Sequence, residues 1–457
     1  MKKQILLGLS AALYLLFFWV GADWSPEVKA GGTLLIIQIL WIGRVFPLAF
    51  SSLILIVILS FHLTSYEDAL SYLGSSLVWL LFSTFILAHA FVSTGLASRV
   101  ALSILNLAKG SGRLLIFLSF FMMFVLTVFI PSNIGKGKLT SDILDRLLVE
   151  LKAIQPTTNL GKSFFIGVAY VSAVSAAFVP TGASSTIYAF GMFSSVSDSM
   201  SYTNWLLYFS FPMGLFVLLL WFLFQSVFPA ERVDREMVND LLTSQKQKLG
   251  TWSAKEVRMT LIITITLLLW LTQVWHGYSI PQVGMLGAVM VVFPFIGVLD
   301  WEEAKAGINW DMMIFFAATL MLSNMLIDTG AMGSFAAWIT SSLGGLHPVT
   351  VVILLCVLTA LARVLFVNVL GFLTVALPLA IMLGENIAVF SPLEVAMAVY
   401  LMGIPGFLLI TQSPVHLISY SYNYFSQRDL LRVGVIAMLG WLAIVLVSIF
   451  FYWKWMI

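Results

Sequence analysis

The chain has 457 residues, 60% of them hydrophobic and only 10% charged, with a mean hydropathy of +1.02. A soluble domain carries about 25% charged residues, so this composition excludes a water-soluble globular fold and identifies an integral membrane protein. A net charge of +2 points to neither a nucleic-acid partner nor an acidic tail, and a single cysteine, Cys356, excludes an intrachain disulfide and a cysteine-based metal site.

Helical spans need about 20 apolar residues each and, with their loops, use roughly 35–40, so about a dozen passes are expected. Residues 206–228 and 433–452 are apolar on every face, whereas a barrel strand alternates over roughly ten residues, so the spans are α-helices. At the N-terminus Lys2 and Lys3 precede an apolar stretch ending in Val20-Gly21-Ala22, as in a signal peptide. In a polytopic chain the same pattern predicts an uncleaved first span, residues 4–22, with its N-terminus cytoplasmic.

Two short passes follow within residues 31–61, divided near Gly43 to Pro47, and then a span at 72–92. Residues 96–108 read as a helix along the membrane surface. It leads into two apolar arms, 114–131 and 134–148, that break at Pro131-Ser132-Asn133-Ile134-Gly135. A broken span at 164–193 and a span at 205–228 complete the half. Residues 229–259 form a charged linker, from Glu231 and Arg232 to Glu256 and Arg258, whose lysines and arginines place it in the cytoplasm.

The second half repeats this order: spans at 260–275, 280–299 and 312–327, a surface helix at 332–343, arms at 349–367 and 369–383 around Val367-Asn368-Val369, a broken span at 395–418 and a last span at 433–453. The expected fold is an all-α membrane protein of about eleven spans and two re-entrant hairpins, with its C-terminus outside. Its parts are a first helix (1–30), repeat 1 (31–228), the linker (229–258) and repeat 2 (259–457).

One interval along the chain carries Thr94-Gly95 to Thr329-Gly330 and Asn133 to Asn368. Charge supports the repeat. Loops at 109–113 and 146–162 hold Lys109, Arg113, Arg146, Lys152 and Lys162, while the matching loops at 343–348 and 384–392 hold no lysine or arginine. The next pair reverses: 194–204 has Asp198 and no basic residue, and 421–432 has Arg428 and Arg432. Opposite bias at matching positions is the signature of inverted topology.

Bare backbone within a membrane is tolerated only where it faces protein or a water-filled cavity. Four such breaks recur: the tips at Ser132-Asn133 and Asn368, and the interruptions at 179–186 and 411–416. Half-helix N-termini offer amides to an anion and unwound carbonyls suit a cation, so four breaks describe a transporter's binding site.

These residues resemble the divalent anion/sodium symporter (DASS) family of dicarboxylate, citrate and sulfate carriers. That family has Ser-Asn-Thr at each hairpin tip and a Thr-Pro-Pro-Asn-like turn in each broken span. Pro131-Ser132-Asn133-Ile134 is similar to the first tip, and Ser413-Pro414-Val415-His416, with the exit loop that follows it (422–434), is similar to the last turn. Ile308-Asn309-Trp310-Asp311 and the Thr-Gly pairs also fit. Threonine is missing after both tip asparagines (Ile134, Val369), serine before the second (Val367), and the first turn reads Ala183-Ser184-Ser185-Thr186.

The resemblance implies that substrate carboxylates are held at Asn133, Ile134, Asn368, Val369, Pro414 and His416. It implies sodium at Ser132, Asn133 and Gly182, and again at Asn368 and Ser413. It also implies an elevator motion of hairpins and broken spans against a scaffold that forms a homodimer. Beyond the family pattern stand three cations. Lys136 and Lys138 follow the first tip, and Arg363 lies five residues before Asn368 in an apolar arm. One reading has the lysines snorkel or pair with Asp142 and Arg363 cap carbonyls. The other has them neutralise an anionic substrate, replacing a coupling sodium, in an exchanger.

The leading expectation is a secondary carrier of di- or tricarboxylates in the inner membrane, by sodium symport or exchange. An inorganic oxyanion carrier and a proton-coupled efflux carrier are alternatives from the same superfamily. An anion channel is the alternative of another class, and it needs no inverted repeat of broken helices. No His-Glu-x-x-His, Gly-x-Ser-x-Gly or P-loop pattern is present, which argues against an intramembrane enzyme and an ATP-driven pump.

Overall fold

The computed structural model describes residues 2–153, 156–231, 234–343, 345–387 and 389–457, and the described residues form helices and no strand. Met1 of the first span, Arg232 of the linker and parts of the loops at 146–162, 343–348 and 384–392 lie outside the described residues.

The chain opens with α1 (Lys2–Leu15), α2 (Pro26–Ile42), α3 (Leu48–His62), α4 (Tyr66–Ser71) and α5 (Ser76–Ser93). Pro26 suits the first turn of α2, where its missing N–H is not needed. The two short passes part where Arg44 takes a left-handed backbone, φ 46°, ahead of Pro47. α6 (Leu96–Asn106) turns Leu96, Ala97, Ala101, Leu102 and Leu105 inward. α7 (Gly112–Phe129) ends because Ile130 precedes Pro131 and is held extended, at φ −119° and ψ 95°. Ser132 then caps α8 (Asn133–Lys152). α9 (Thr158–Ala176), α10 (Ser184–Ser194) and α11 (Tyr202–Val227) follow.

The linker is folded. Asp234 caps α12 (Arg235–Lys248), which buries Val238 and Leu242 and packs on α6 and α8. Beyond it run α13 (Ala254–Leu271), α14 (Gln273–His276), α15 (Ile280–Val292), α16 (Trp301–Ala306), α17 (Trp310–Asp328) and α18 (Ala331–Ser342). The second helix–tip–helix pair is α19 (Pro348–Arg363) and α20 (Val369–Glu385), and α21 (Pro392–Gly403), α22 (Pro414–Ser421) and α23 (Gln427–Val447) complete the chain.

Three boundaries differ from expectation. α15 stops at Val292 rather than reaching Leu299, because Pro294 bars the preceding residue from helical backbone and Phe295 turns left-handed at φ 73°. The first broken span opens at 177–183, so Ser184 to Thr186 already lie in α10. The second opens at 404–413, where Pro405 stops α21, so Pro414 to His416 form the first turn of α22 and are not unwound.

Six helical stretches among the described residues are long and apolar enough to cross a membrane: Lys2–Val20, Tyr66–Ser93, Gly112–Phe129, Tyr202–Val227, Trp310–Asp328 and Gln427–Trp455. α3, α15 and α21 are shorter apolar helices, and α13 carries Lys255, Glu256 and Arg258 in its first turns.

Two compact units form, each drawing on both halves of the chain. One comprises Met1–Phe82, Tyr188–Asp198 and Asn309–Gly403; in it α17 packs on α3 and α20, and α20 on α21. The other comprises Ser83–Ile187, Ser199–Ile308 and Ile404–Ile457; in it α7 packs on α9, α22 on α8 and α9, and α11 on α23. Lipid gives helices no hydrophobic reason to associate, so close backbone approach at small residues matters. Gly434 of α23 is such a point, since a Cβ there would stand 1.9 Å from the Phe407 carbonyl oxygen. Gly434→Ala is therefore expected to lower the thermal midpoint of the purified protein. Gly214→Ala in α11, where a Cβ meets nothing within 4 Å, should be neutral or stabilising by about 1 kcal/mol. Equal midpoints for the two variants would refute the close approach.

Candidate functional site

In the second unit the tip between α7 and α8 is held by two side chains. Ser132 Oγ accepts the Gly135 N–H at 3.1 Å, which starts α8, and the Asn133 carbonyl accepts from Ser172 Oγ at 3.1 Å, which ties the tip to α9. Asn133 Oδ1 is buried without a hydrogen-bond partner among the described residues, and Ile134 is 47% exposed. One turn on, Lys136 is fully buried and its Nζ donates to Ser175 Oγ at 2.8 Å and to Thr127 Oγ1. Those hydroxyls pass their own protons to the Met123 and Ser172 carbonyls, so their lone pairs face the ammonium. No carboxylate lies within ion-pair distance of Lys136 among the described residues.

The break after α9 closes around the same place. A Cβ on Gly182 would fall 2.2 Å from the Ala176 oxygen and 2.8 Å from Thr127 Cγ2, so only glycine fits beside the lysine's hydroxyl partner. Trp205 Nε1 and Thr186 Oγ1 donate to the carbonyls of Ala177 and Ala176 that the end of α9 leaves open.

The 404–413 break also lies in this unit. Ser413 Oγ caps α22 by accepting the Val415 N–H at 3.2 Å, and Pro414 takes the first helical position. His416 is fully buried, with Nδ1 3.1 Å from the Leu409 oxygen and Nε2 3.0 Å from the Ala169 oxygen, so the ring bridges α22, the break and α9. Three residues the sequence reading did not single out carry the rest of the unwound backbone. Gln412 Oε1 accepts the N–H of Leu408 and of Leu409, Gln427 bonds Ile410 N and Leu408 O, and the Tyr170 hydroxyl lies 2.9 Å from Phe407 O and 2.6 Å from Leu430 O. Of the three only Gln412, in an apolar run beside Pro405-Gly406, carries a signal readable in the sequence.

Lys138, in contrast to Lys136, is exposed and lies 3.8 Å from Asp142. Asp142 and Asp145 accept from Tyr422 and Tyr424, whose rings pack on Phe165. Left-handed Asn423 (φ 62°) sets these two tyrosines side by side. Burial, and then the carboxylates, raise both phenols above the ordinary tyrosine range.

In the first unit Asn368 caps α20, its Oδ1 accepting the Leu370 N–H at 2.9 Å, and Val369 begins that helix half-buried. Arg363 is 1% exposed at the end of α19; its Nε donates to the Gly403 oxygen at 2.8 Å and its Nη1 to the Phe366 oxygen. It thus stands at the C-terminus of α21, where a helix favours a cation. Asn133, Lys136, Gly182, Ser413 and His416 belong to one unit and Arg363, Asn368 and Val369 to the other.

A family model described as "Sodium:sulfate symporter transmembrane region" matches residues 27–457. Proteins named L-tartrate/succinate antiporter from Shigella sonnei (strain Ss046) and Escherichia coli (strain K12) are each 25% identical over 405 residues, which is 85% of this chain and 80% of theirs. A protein named only "Membrane protein" from Cupriavidus necator is 23% identical over 400 residues, 85% of this chain and 76% of its own.

The hydroxyl cradle of Lys136 is open to a double-mutant cycle. Thr127→Val takes an acceptor from a buried ammonium and should destabilise the protein by about 1–3 kcal/mol. In a Lys136→Met background the same change should cost less than about 1 kcal/mol, read from denaturation in detergent. Equal costs in both backgrounds would show that the hydroxyl does not serve the lysine.

Proposed function

The chain belongs to the sodium:sulfate symporter family of membrane transporters, and on that premise we propose that it exchanges small organic dianions of the tartrate and succinate class without a sodium gradient. One observation carries this reading. Each compact unit places a fully buried basic side chain close to its helix–tip–helix turn, hydrogen-bonded to neutral oxygens: Lys136 to Thr127 and Ser175, Arg363 to the carbonyls of Phe366 and Gly403. Hydroxyls and carbonyls are the ligands a sodium ion would take. Here a covalently attached cation takes them.

Apart from Asn133 Oδ1, the donors assigned to sodium by resemblance are otherwise engaged. Ser132, Asn368 and Ser413 cap helices, the Asn133 carbonyl accepts from Ser172, and the space beside Gly182 holds the Lys136 cradle. We read these residues as not fitted to a coupling sodium. A fixed cation cannot leave with the substrate, so an empty carrier keeps its positive charge in the membrane and returns easily only with another anion. That favours exchange. The names of the relatives, tartrate/succinate antiporters, support the same reading.

On this reading the two helix–tip–helix pairs are re-entrant hairpins entering from opposite sides, with Asn133 and Ile134 at one tip, Asn368 and Val369 at the other, and Pro414 and His416 at the start of α22 as the substrate contacts. The free Asn133 Oδ1 and exposed Ile134 suit such a role. Repeats at 31–228 and 259–457 are supported by left-handed glycines at one interval: Gly95 with Gly330, and Gly110 with Gly345. We place the carrier in the inner membrane as a homodimer of elevator type, N-terminus cytoplasmic and C-terminus outside.

The test is uptake of labelled succinate into proteoliposomes, with and without internal succinate or tartrate, each with and without sodium. Uptake should require the internal dianion and change by less than about two-fold with sodium. Sodium-dependent uptake into empty vesicles would overturn the exchange reading, and sulfate uptake without dicarboxylate uptake would overturn the substrate class. A charge-assisted contact is worth about 1.5–3 kcal/mol, so Lys136→Ala should lower exchange about 10–100-fold. Wild-type exchange in that variant would refute the role of the lysine.

A further inference from the structure

Arg99 is the one arginine of α6, and it is as deeply engaged as any residue of the candidate site. Its Nε donates to Glu256 Oε1 at 2.6 Å and its Nη2 to Oε2 at 3.2 Å, with both side chains buried. Its remaining N–H groups reach the carbonyls of Leu249, Gly250 and Thr251 at 3.2–3.4 Å, and its guanidinium lies 5.0 Å from the centre of the Trp252 ring. Glu256 in turn closes the capping box that starts α13. One side chain therefore joins α6, the end of the linker and α13.

The linker follows α6 along its length. At its start the Arg235 oxygen lies so close to Gly110 that a Cβ there would stand 2.0 Å away, Val238 and Leu242 are buried in its middle, and at its end residues 249–252 close on Arg99. Both ends of α6 are left-handed: Gly95 at φ 86° before it, Lys109 at φ 45° and Gly110 at φ 76° after it. α6 is thus clamped along its length while the chain turns sharply at both of its ends. An apolar pair in place of a buried ion pair is often as stable, so stability alone does not account for this one.

α18 gives a control within the molecule. It too lies between left-handed glycines, Gly330 at φ 80° and Gly345 at φ 90°. Ser334, at the interval that relates Gly95 to Gly330, donates to Glu27 Oε2 of α2 at 3.1 Å from an exposed position. The same position makes the same kind of tether, but only α6 is held by a buried charge and a folded linker.

We propose that Arg99 is a positioning residue of the transport cycle, holding α6 and the linker to α13 as a fixed bracket about which the α7–α8 tip moves at Gly95 and Lys109–Gly110. The proposal rests on the carrier reading for its kinetic part and on the clamp geometry for its structural part, and the two are measured separately. In Arg99→Gln, trypsin should cut the purified chain at Lys246 and Lys248 about ten-fold faster than in wild type, as exposure of a local segment follows its opening equilibrium. Maximal exchange should fall about ten-fold with half-saturation changed by less than about two-fold, the pattern of a lost step rather than lost binding. Arg99→Lys should restore part of both. If Arg99→Gln does not fold, Glu256→Gln, which keeps the carbonyl contacts, carries the same measurements. Faster cleavage with wild-type maximal exchange overturns the positioning role, and unchanged cleavage overturns the clamp. Absence of exchange in wild type together with faster cleavage in the variant would sink the carrier reading and leave the clamp standing.

Discussion

The organisation of this chain depends on one constraint: in hydrocarbon, an unpaired N–H or C=O costs several kcal/mol, so every interrupted helix must have its loose ends satisfied from within the protein. Helix starts and helix ends solve this differently. Starts are closed locally by short side chains, Ser132 on α8, Asn368 on α20 and Ser413 on α22. Ends leave carbonyls pointing along the axis, beyond the reach of a short residue nearby. They are met by side chains from beyond the helix, Trp205 and Thr186 on α9's last carbonyls and Arg363 on Gly403, while within the 404–413 break His416 lies against the Leu409 oxygen and Tyr170 against the Phe407 oxygen.

That division explains why the cations sit where they do. A carbonyl at a helix C-terminus carries partial negative charge, and the planar guanidinium of Arg363 can serve two such oxygens at once. Lys136 sits instead in a helix's first turn, where positive charge is disfavoured, and has only hydroxyls around it. Nothing in that location repays a cation electrostatically. Lys136 is thus held against both its burial and its place in the helix.

The elements were largely legible because the breaks have local causes. Pro131 after Ile130, the Ser and Asn caps, and the charge of the linker are all visible as letters, and the helices begin and end at them. The misplaced boundaries have local causes too. Pro294 and Pro405 were hidden inside apolar runs whose average hydropathy reads as a continuous span, and average hydropathy is blind to a missing N–H. Long-range partners left no such trace. Nothing in the segment around Arg99 announces a carboxylate at Glu256, and nothing around Tyr170 announces carbonyls at Phe407 and Leu430, because these pairs exist only once the helices have packed. Lys136 and Lys138 are two residues apart in one sequence pattern, yet one is fully buried and the other exposed, since two positions turn a helix by more than half a circle.

The repeat reading sharpens the meaning of the two buried cations. Under the interval that carries Asn133 to Asn368, Lys136 corresponds to Gly371, whose carbonyl accepts from Gln38, and Arg363 corresponds to Val128. On that reading Lys136 and Arg363 do not occupy equivalent positions. One lies after its tip on the second arm and the other before its tip on the first, and each is bound by a different kind of oxygen. Two positions that do not correspond each place one fully buried basic side chain near a tip. A structural requirement of the fold would have fallen on equivalent positions of both halves, as the left-handed glycines do.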